Sequence, residues 1–516
     1  MSRFSDLSRR QAGVLAHVTA LPGAFGVGEI GANARRFVDY LAELGAGVWQ
    51  VLPLNPTHGD ASPYSAVSSF AGNEQLLSIE AFLEPGWLSQ ADLEPLRGGD
   101  ALRIDFPQVR ALRARVLAKA ADRALADGLA QDADYRDFVD NAGPVWLDDY
   151  ALYAAIGAEQ GGLDWVQWPQ GLRNRTPDAL EAARDRLAPA IARVNALQYL
   201  FERQWADLRA YAHAQGLAIF GDAPIYVAMA SADVWAHRAL FDLTPEGVPL
   251  AVAGCPPDAF GPEGQHWGNP LYDWAAMARE DYAWWIARIR RLVVTVDIAR
   301  LDHFRAFAQY WAIPGGAAAP DGAWRDGPGA AVFEAIRSAI GDLPLVAEDL
   351  GLITPDVYAL RDQLDLPGMI ILQSELHDGA LVGDRSVANH RARAVVYTGS
   401  HDNTTAQGWF DQGGMTPQPP EPADGCRAAL LKSVASETDP SRAFVTLAAR
   451  SGANLAIVQM QDLLGLGDAA RFNVPGAVKP ENWSWRFSWD QIEPARTAHA
   501  RAAFADAGRS PPEGAP

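Results

Sequence analysis

Eight short apolar, β-branched runs recur along this chain, each separated from the next by a stretch of helical pattern. They lie at Val14–Thr19, Val48–Leu54, Leu217–Gly221, Val293–Ala299, Leu343–Ala347, Met369–Leu372, Ala394–Tyr397 and Leu455–Val458. A strand buried on both faces reads as a continuous apolar run rather than an alternating one. Eight such runs with helices between them predict an α/β chain folded as a (β/α)8 TIM barrel.

The spacing of the runs is uneven, which predicts insertions. Between Leu54 and Leu217 lie helical stretches rich in Ala, Arg and Leu, such as Val109–Asp127 and Pro177–Gln204. Between Gly221 and Val293 the chain is dense in Gly and Pro, at Gly254–Pro257 and Gly261–Pro270, and reads as loop. We therefore expect one catalytic barrel over residues 1–490, with a mostly helical insertion near 80–205 and a loop-rich one near 226–285. Residues 491–516 read as a C-terminal helix and tail, disordered from Gly508 onward.

Composition narrows the partners. The chain has 516 residues, 49% of them hydrophobic, which supports a sizeable core. Its net charge of −20 disfavours nucleic acid and anionic membranes, both of which need a positive field. The N-terminus lacks the apolar segment of a signal peptide, and no apolar run reaches membrane-spanning length. Cys255 and Cys426 lie far apart, outside any CxxC or Cys/His cluster. The expectation is a soluble, cytoplasmic protein without a metal site or disulfide framework. The 17 Trp fit either core packing or stacking on sugar rings.

Gly26-Val27-Gly28-Glu29-Ile30-Gly31 matches a dinucleotide fingerprint in form. The strand before it ends too early for the tight turn the fingerprint requires, and the next strand carries no terminal acid for a ribose. Phosphate-loop, HExxH and GxSxG motifs are absent.

Acids at strand ends carry the functional signal. Arg300-Leu301-Asp302-His303 follows the fourth run, and strand periodicity puts Arg300 and Asp302 on one face. Glu348 and Asp349 end the fifth run, and His401-Asp402-Asn403 follows the seventh. Barrel active sites form at the C-terminal ends of strands, and burying an acid there is costly unless it serves a purpose. An Arg beside a carboxylate favours its ionised form. Carboxylates gathered in this way suggest glycoside chemistry.

At these residues the chain resembles glycoside hydrolase family 77, the amylomaltases or disproportionating enzymes, from about Gly13 to Arg486. The resemblance rests on ordered motifs. They include Trp49 to Thr57 continuing through Asp60-Ala61-Ser62-Pro63-Tyr64, Gly221-Asp222-Ala223-Pro224-Ile225-Tyr226, and Gly264 to Tyr272. Further along come Arg300 to Arg305, Ala347 to Gly351, Asp462 to Gly467 and Arg471-Phe472-Asn473.

The resemblance implies transfer of α-1,4-glucan segments between maltooligosaccharides, amylose or glycogen, with retention and without a cofactor. An α-1,4-glucan hydrolase using the same acids is the alternative. It also implies Asp302 as nucleophile, Glu348 as general acid/base and Asp402 as stabiliser of the transition state. Implied sugar contacts are Tyr64, Asp222, Asp258, Gln265, Trp267, Asn269, Arg300, His303, His401 and Asn473. The sequence departs from the family pattern at Ala259, where an aromatic is usual, at Ile371-Leu372-Gln373-Ser374-Glu375, and at Thr404.

Overall fold

The computed structural model describes residues 3–257, 262–341, 344–413, 423–434 and 437–509. In chain order its strands are β1 (Gln11–Leu15), β2 (Val48–Gln50), β3 (Ala218–Ala223), β4 (Ala251–Cys255), β5 (Gln265–Pro270), β6 (Ile298–Leu301), β7 (Gln309–Pro314), β8 (Ala323–Asp326), β9 (Leu345–Ala347), β10 (Gly368–Ile371), β11 (Ala394–Tyr397) and β12 (Leu455–Gln459). Eight of them form one sheet in the order β10-β11-β12-β1-β2-β3-β6-β9. Every pairing in it is parallel. The two ends of that order meet where the Ala347 N–H donates to the Pro367 carbonyl at 2.8 Å, just before β10, which brings the sheet round into a barrel.

Each of the eight apolar runs contributes one barrel strand, although some bounds move. The fourth begins only at Ile298, because Val293 and Val294 complete the helix Ala283–Thr295. That helix buries Trp284, Trp285 and Ile289; Val293 packs half-buried against the same core, and Val294 is 53% exposed. Tertiary burial of the aromatic stripe overrides the local β preference. The sixth run ends at Ile371, and Leu372 opens the short helix Leu372–His377.

The connection from β2 to β3 is largely helical and ends in the 38-residue helix Pro177–Ala214, which packs beside Phe106–Ala126 and Asp148–Glu159. The stretch expected to be a loop-rich insertion after β3 instead supplies two strands. β4 and β5 join β7 and β8 in an antiparallel sheet of order β5-β4-β7-β8. Here glycine serves the strand: a Cβ on Gly254 would lie 2.2 Å from the Gln265 carbonyl, so only glycine lets β4 and β5 approach. The fingerprint-like glycines are structural too. A Cβ on Gly28 would meet the Val18 carbonyl at 1.9 Å, so this glycine is there for close backbone approach.

The C-terminal segment is helical as expected but differs at its end. Pro494–Asp506 is a helix, and Arg509, read as part of a disordered tail, has no exposed surface. Its side chain donates to the carbonyls of Ala449, Gln11, Asn454, Ser451 and Ala453, tying the chain end to the starts of β1 and β12. Arg509→Ala should lower stability by about 2–4 kcal/mol, since it leaves several buried carbonyls without a donor. Urea unfolding measures this, and an unchanged midpoint would show that the anchor contributes nothing.

Candidate active site

The barrel carries its acids at the C-terminal ends of neighbouring strands. β6 ends in Leu301, and the next residue is Asp302, whose N–H donates to the Ala223 carbonyl at 3.0 Å. β9 ends in Ala347, and Glu348 follows with its N–H on the Leu301 carbonyl at 3.0 Å. Because β6 and β9 are paired, Asp302 and Glu348 emerge side by side. Asp402 comes from the turn after β11.

Arg300 organises this cluster from inside the barrel. Its Nη1 lies 2.7 Å from Asp222 Oδ2 and its Nη2 lies 2.9 Å from Asp302 Oδ1. Asp222 Oδ2 also accepts from the Tyr64 hydroxyl at 2.6 Å. The Tyr64 ring stacks on His401, with centroids 5.0 Å apart, and His401 Nε2 lies 3.3 Å from Asp402 Oδ2. Asn473 donates to Asp402 Oδ1 at 2.6 Å. One continuous set of contacts thus joins Asp302, Arg300, Asp222, Tyr64, His401, Asp402 and Asn473.

Glu348 is held differently. Its Oε2 accepts the His303 N–H at 2.7 Å and its Oε1 accepts the Leu350 N–H at 3.0 Å. His303 makes that bond from a left-handed backbone, with φ of 51°, a conformation that costs a non-glycine residue energy and recurs at functional sites.

The electrostatics separate the three acids. Burial pushes the Glu348 carboxyl up; Arg300 opposes this and the Asp302 charge adds to it. Burial also pushes Asp302 up, with Arg300 again opposing, so the neighbouring guanidinium does not by itself return this acid to the ordinary range. Of the two, Asp302 has Arg300 in contact and keeps 27% of its side chain exposed. It is therefore the one whose ionised form is favoured. For Asp402, burial acts upward but is outweighed by His401 and Asn473, which hold the carboxyl well below the usual range.

The remaining expected sugar contacts take different places. Trp267 stands on β5 with its ring centroid 4.8 Å from that of His303, and its indole N–H donates to Gln265 Oε1 at 3.0 Å. Those three residues make one wall. Asn269, further along β5, uses its amide to hold the Val227 carbonyl at 2.9 Å. Asp222 does not line the cleft: its side chain has no exposed surface, and it acts by fixing Arg300 and Tyr64. Asp258 and Ala259 lie outside the described residues.

Two residues at the site went unassigned in the sequence. Trp483 places its ring 5.9 Å from Tyr64 and 6.0 Å from His401, with φ of 65°. Arg471 donates to the Asp402 carbonyl at 2.6 Å and to the Asn473 carbonyl at 2.7 Å. Arg471 sits within a motif that the resemblance already used. Trp483 left no signal beyond the aromatic alternation of Trp483, Trp485 and Phe487.

Comparison with known proteins decides what this barrel is. The family described as 4-alpha-glucanotransferase, glycoside hydrolase family 77, matches residues 16–491. The chain belongs to this family. A 4-alpha-glucanotransferase of Arabidopsis thaliana is 42% identical over 496 residues, covering 94% of this chain and 84% of the relative. One from Synechocystis is 41% identical over 501 residues, covering 96% and 97%. Among solved structures, an amylomaltase from Streptococcus agalactiae in complex with acarbose superposes with a TM-score of 0.91 at 33% identity, covering 97% of this chain and all of that one. The fold, the family and the activity expected from the sequence therefore hold: a 4-alpha-glucanotransferase barrel that performs glucan transglycosylation. Hydrolysis is not the favoured reading.

The enclosed Asp222–Arg300 pair makes a stability prediction. Asp222→Ala leaves the guanidinium buried with one carboxylate fewer, and should cost about 3–5 kcal/mol in chemical unfolding. Asp222→Asn, which keeps an acceptor for both Tyr64 and Arg300, should cost less. Equal stability of wild type and the Ala variant would show that Arg300 is not held this way.

Proposed function

We propose that Asp302 is the nucleophile, Glu348 the general acid/base and Asp402 the transition-state stabiliser of a double displacement on α-1,4-glucans. The observation that carries this reading is the pairing of β6 with β9. It sets an Arg-contacted carboxylate beside a buried carboxyl that, among the described residues, has no cation in contact.

In the first step an Asp302 oxygen attacks the anomeric carbon and the bond to the leaving 4-oxygen breaks. Glu348 gives that oxygen its proton. The raised pKa of Glu348 suits it to hold a proton until this moment. In the second step the 4-hydroxyl of an acceptor attacks the same carbon, Glu348 takes back the proton, and the Asp302 ester bond breaks. Two inversions give net retention.

Asp402, kept ionised by His401 and Asn473, supplies negative charge near the sugar as positive charge develops on it. Tyr64, His401 and Trp483 form an aromatic face suited to a sugar ring. Trp267 and Gln265 form a further wall beside His303. The acarbose held by the Streptococcus amylomaltase is an oligosaccharide mimic, which supports maltooligosaccharides and amylose as substrates, and glycogen by the same linkage. We place the enzyme in the cytoplasm, although its Arabidopsis relative is named as chloroplastic or amyloplastic.

Maltotriose should yield glucose and a ladder of longer maltooligosaccharides with almost no net gain in reducing ends. A steady rise in reducing ends without longer products would overturn transfer. Asp302→Asn should abolish reaction with every donor. Glu348→Gln should fail on maltotriose yet still react with α-glucosyl fluoride, whose leaving group needs no proton, so that a labelled peptide containing Asp302 can be isolated. The pH profile gives a further check. Activity requires Asp302 ionised and Glu348 protonated, so wild type should lose activity on both sides of an optimum. With the fluoride donor, Glu348→Gln should keep the acid-side loss, set by Asp302, and lose the alkaline one. A label on Asp402 instead of Asp302 would assign the nucleophile to Asp402.

A further inference from the structure

At the end of the barrel opposite the acids, around the starts of β1 and β12, three arginines converge. Arg509 is fully enclosed, and its five N–H donors all reach main-chain carbonyls. It therefore contributes charge to its surroundings but no free contact. Arg10, half-buried, directs three donors to the carbonyls of Ala507, Ala453 and Ala449, which leaves two. Arg450, exposed at the end of the helix Pro440–Arg450, has no ion pair or side-chain hydrogen bond among the described residues.

Carboxylates answer some enclosed guanidiniums in this protein, Glu29 for Arg113, Asp222 for Arg300 and Asp349 for Arg361, while Arg288, Arg305 and Arg486 are held by main-chain carbonyls. Here, among the described residues, no carboxylate does. Burial and the Arg10 charge together push Arg509 down to about 9. The compensation present comes from the C-terminal ends of two helices, Pro440–Arg450 and Pro494–Asp506, each carrying roughly half a negative charge. Three guanidiniums against two helix ends leave an excess of about two positive charges. That excess sits in a chain of net charge −20.

The excess faces a pocket of about 370 Å³ lined by Arg10, Arg450, Ser386, Ser433, Leu381 and Leu447, among others. We propose that this pocket binds a small organic phosphate of about the size of a sugar phosphate. The Arg450 fork and the two remaining donors of Arg10 suit a phosphate, which guanidinium groups bind through paired N–H bonds. Ser386 accepts from the Ala388 N–H, and among the described residues its own proton has no acceptor. The volume falls in the range of small-molecule sites. A bare phosphate would leave the Leu381 and Leu447 side of the pocket empty. A neutral glucan would leave the charge unanswered. The site is separate from the glucan-transfer centre and goes beyond the function proposed for it.

Titration calorimetry of the full chain with glucose 6-phosphate, inorganic phosphate and glucose tests this. Glucose 6-phosphate should bind with a dissociation constant below about 1 mM. Inorganic phosphate should bind at least several-fold more weakly, and glucose should give no signal that depends on Arg450. Arg450→Gln should weaken glucose 6-phosphate at least tenfold while leaving maltotriose disproportionation and the thermal midpoint unchanged. Arg450→Glu should abolish binding. Absence of binding by both phosphates, or binding that survives Arg450→Gln unaltered, would overturn the proposal. The second result would assign the signal to the acceptor side of the glucan site.

Discussion

Arg300 is a permanent cation placed inside a barrel, and the surroundings of the site follow from that placement. A buried guanidinium is tolerated only when its charge and donors are answered. Asp222 and Asp302 answer it from either side, at 2.7 and 2.9 Å. Asp222 in turn takes the Tyr64 hydroxyl, which fixes the ring that stacks on His401, and His401 meets Asp402. The orientation of an aromatic surface and of Asp302 and Asp402 therefore depends on one enclosed ion pair. Arg300 also opposes the effect of burial at both Asp302 and Glu348, and of these two it touches only Asp302. A difference in proton affinity between two neighbouring acids is what acid/base chemistry beside a nucleophile requires.

The parallel barrel makes this arrangement possible. Neighbouring strands in a parallel sheet end at the same level, so residues that follow them share one rim. The pairing Leu301↔Ala347 places Asp302 and Glu348 in equivalent positions on that rim. The antiparallel sheet then closes one side. Two of its strands leave from the β3–β6 connection and two from the β6–β9 connection, so the Trp267 wall is fastened to the loops that flank Asp302. The contact between Trp267 and His303 completes that link, next to the His303 N–H that holds Glu348.

How much of this was legible in the sequence depends on the range of the interaction concerned. The eight strands were visible because burial on both faces writes itself as local apolar runs, and Asp302, Glu348 and Asp402 stood out because they follow such runs. The second sheet was not visible. Its strands pair across long sequence separations, β4 with β7 for instance, and Gly254 reads as a loop residue although it is there for close strand contact. The helix ending at Thr295 took Val293 and Val294 for a similar reason: the aromatic residues that decide its buried face lie earlier in the chain. Arg509 looked like tail because nothing near it in sequence shows that five carbonyls from other segments await it.

Asp222 shows a different limit. A motif match places a residue beside a site but does not say which way its side chain points. Asp222 ends up behind the cleft with no exposed side-chain surface, and Trp483, which no motif singled out, ends up against the Tyr64 and His401 rings. The exchange has a physical logic. The rim of the cleft must offer flat apolar rings to a sugar, whereas the layer beneath must hold charge away from water so that its partners stay aligned. A carboxylate left exposed at the rim would be solvated and free to move. Enclosed beneath Tyr64, the same group has its Oδ2 bound to two partners and so keeps both in place. Chemistry at the rim is therefore expected to be more sensitive to the enclosed layer than exposure alone would suggest.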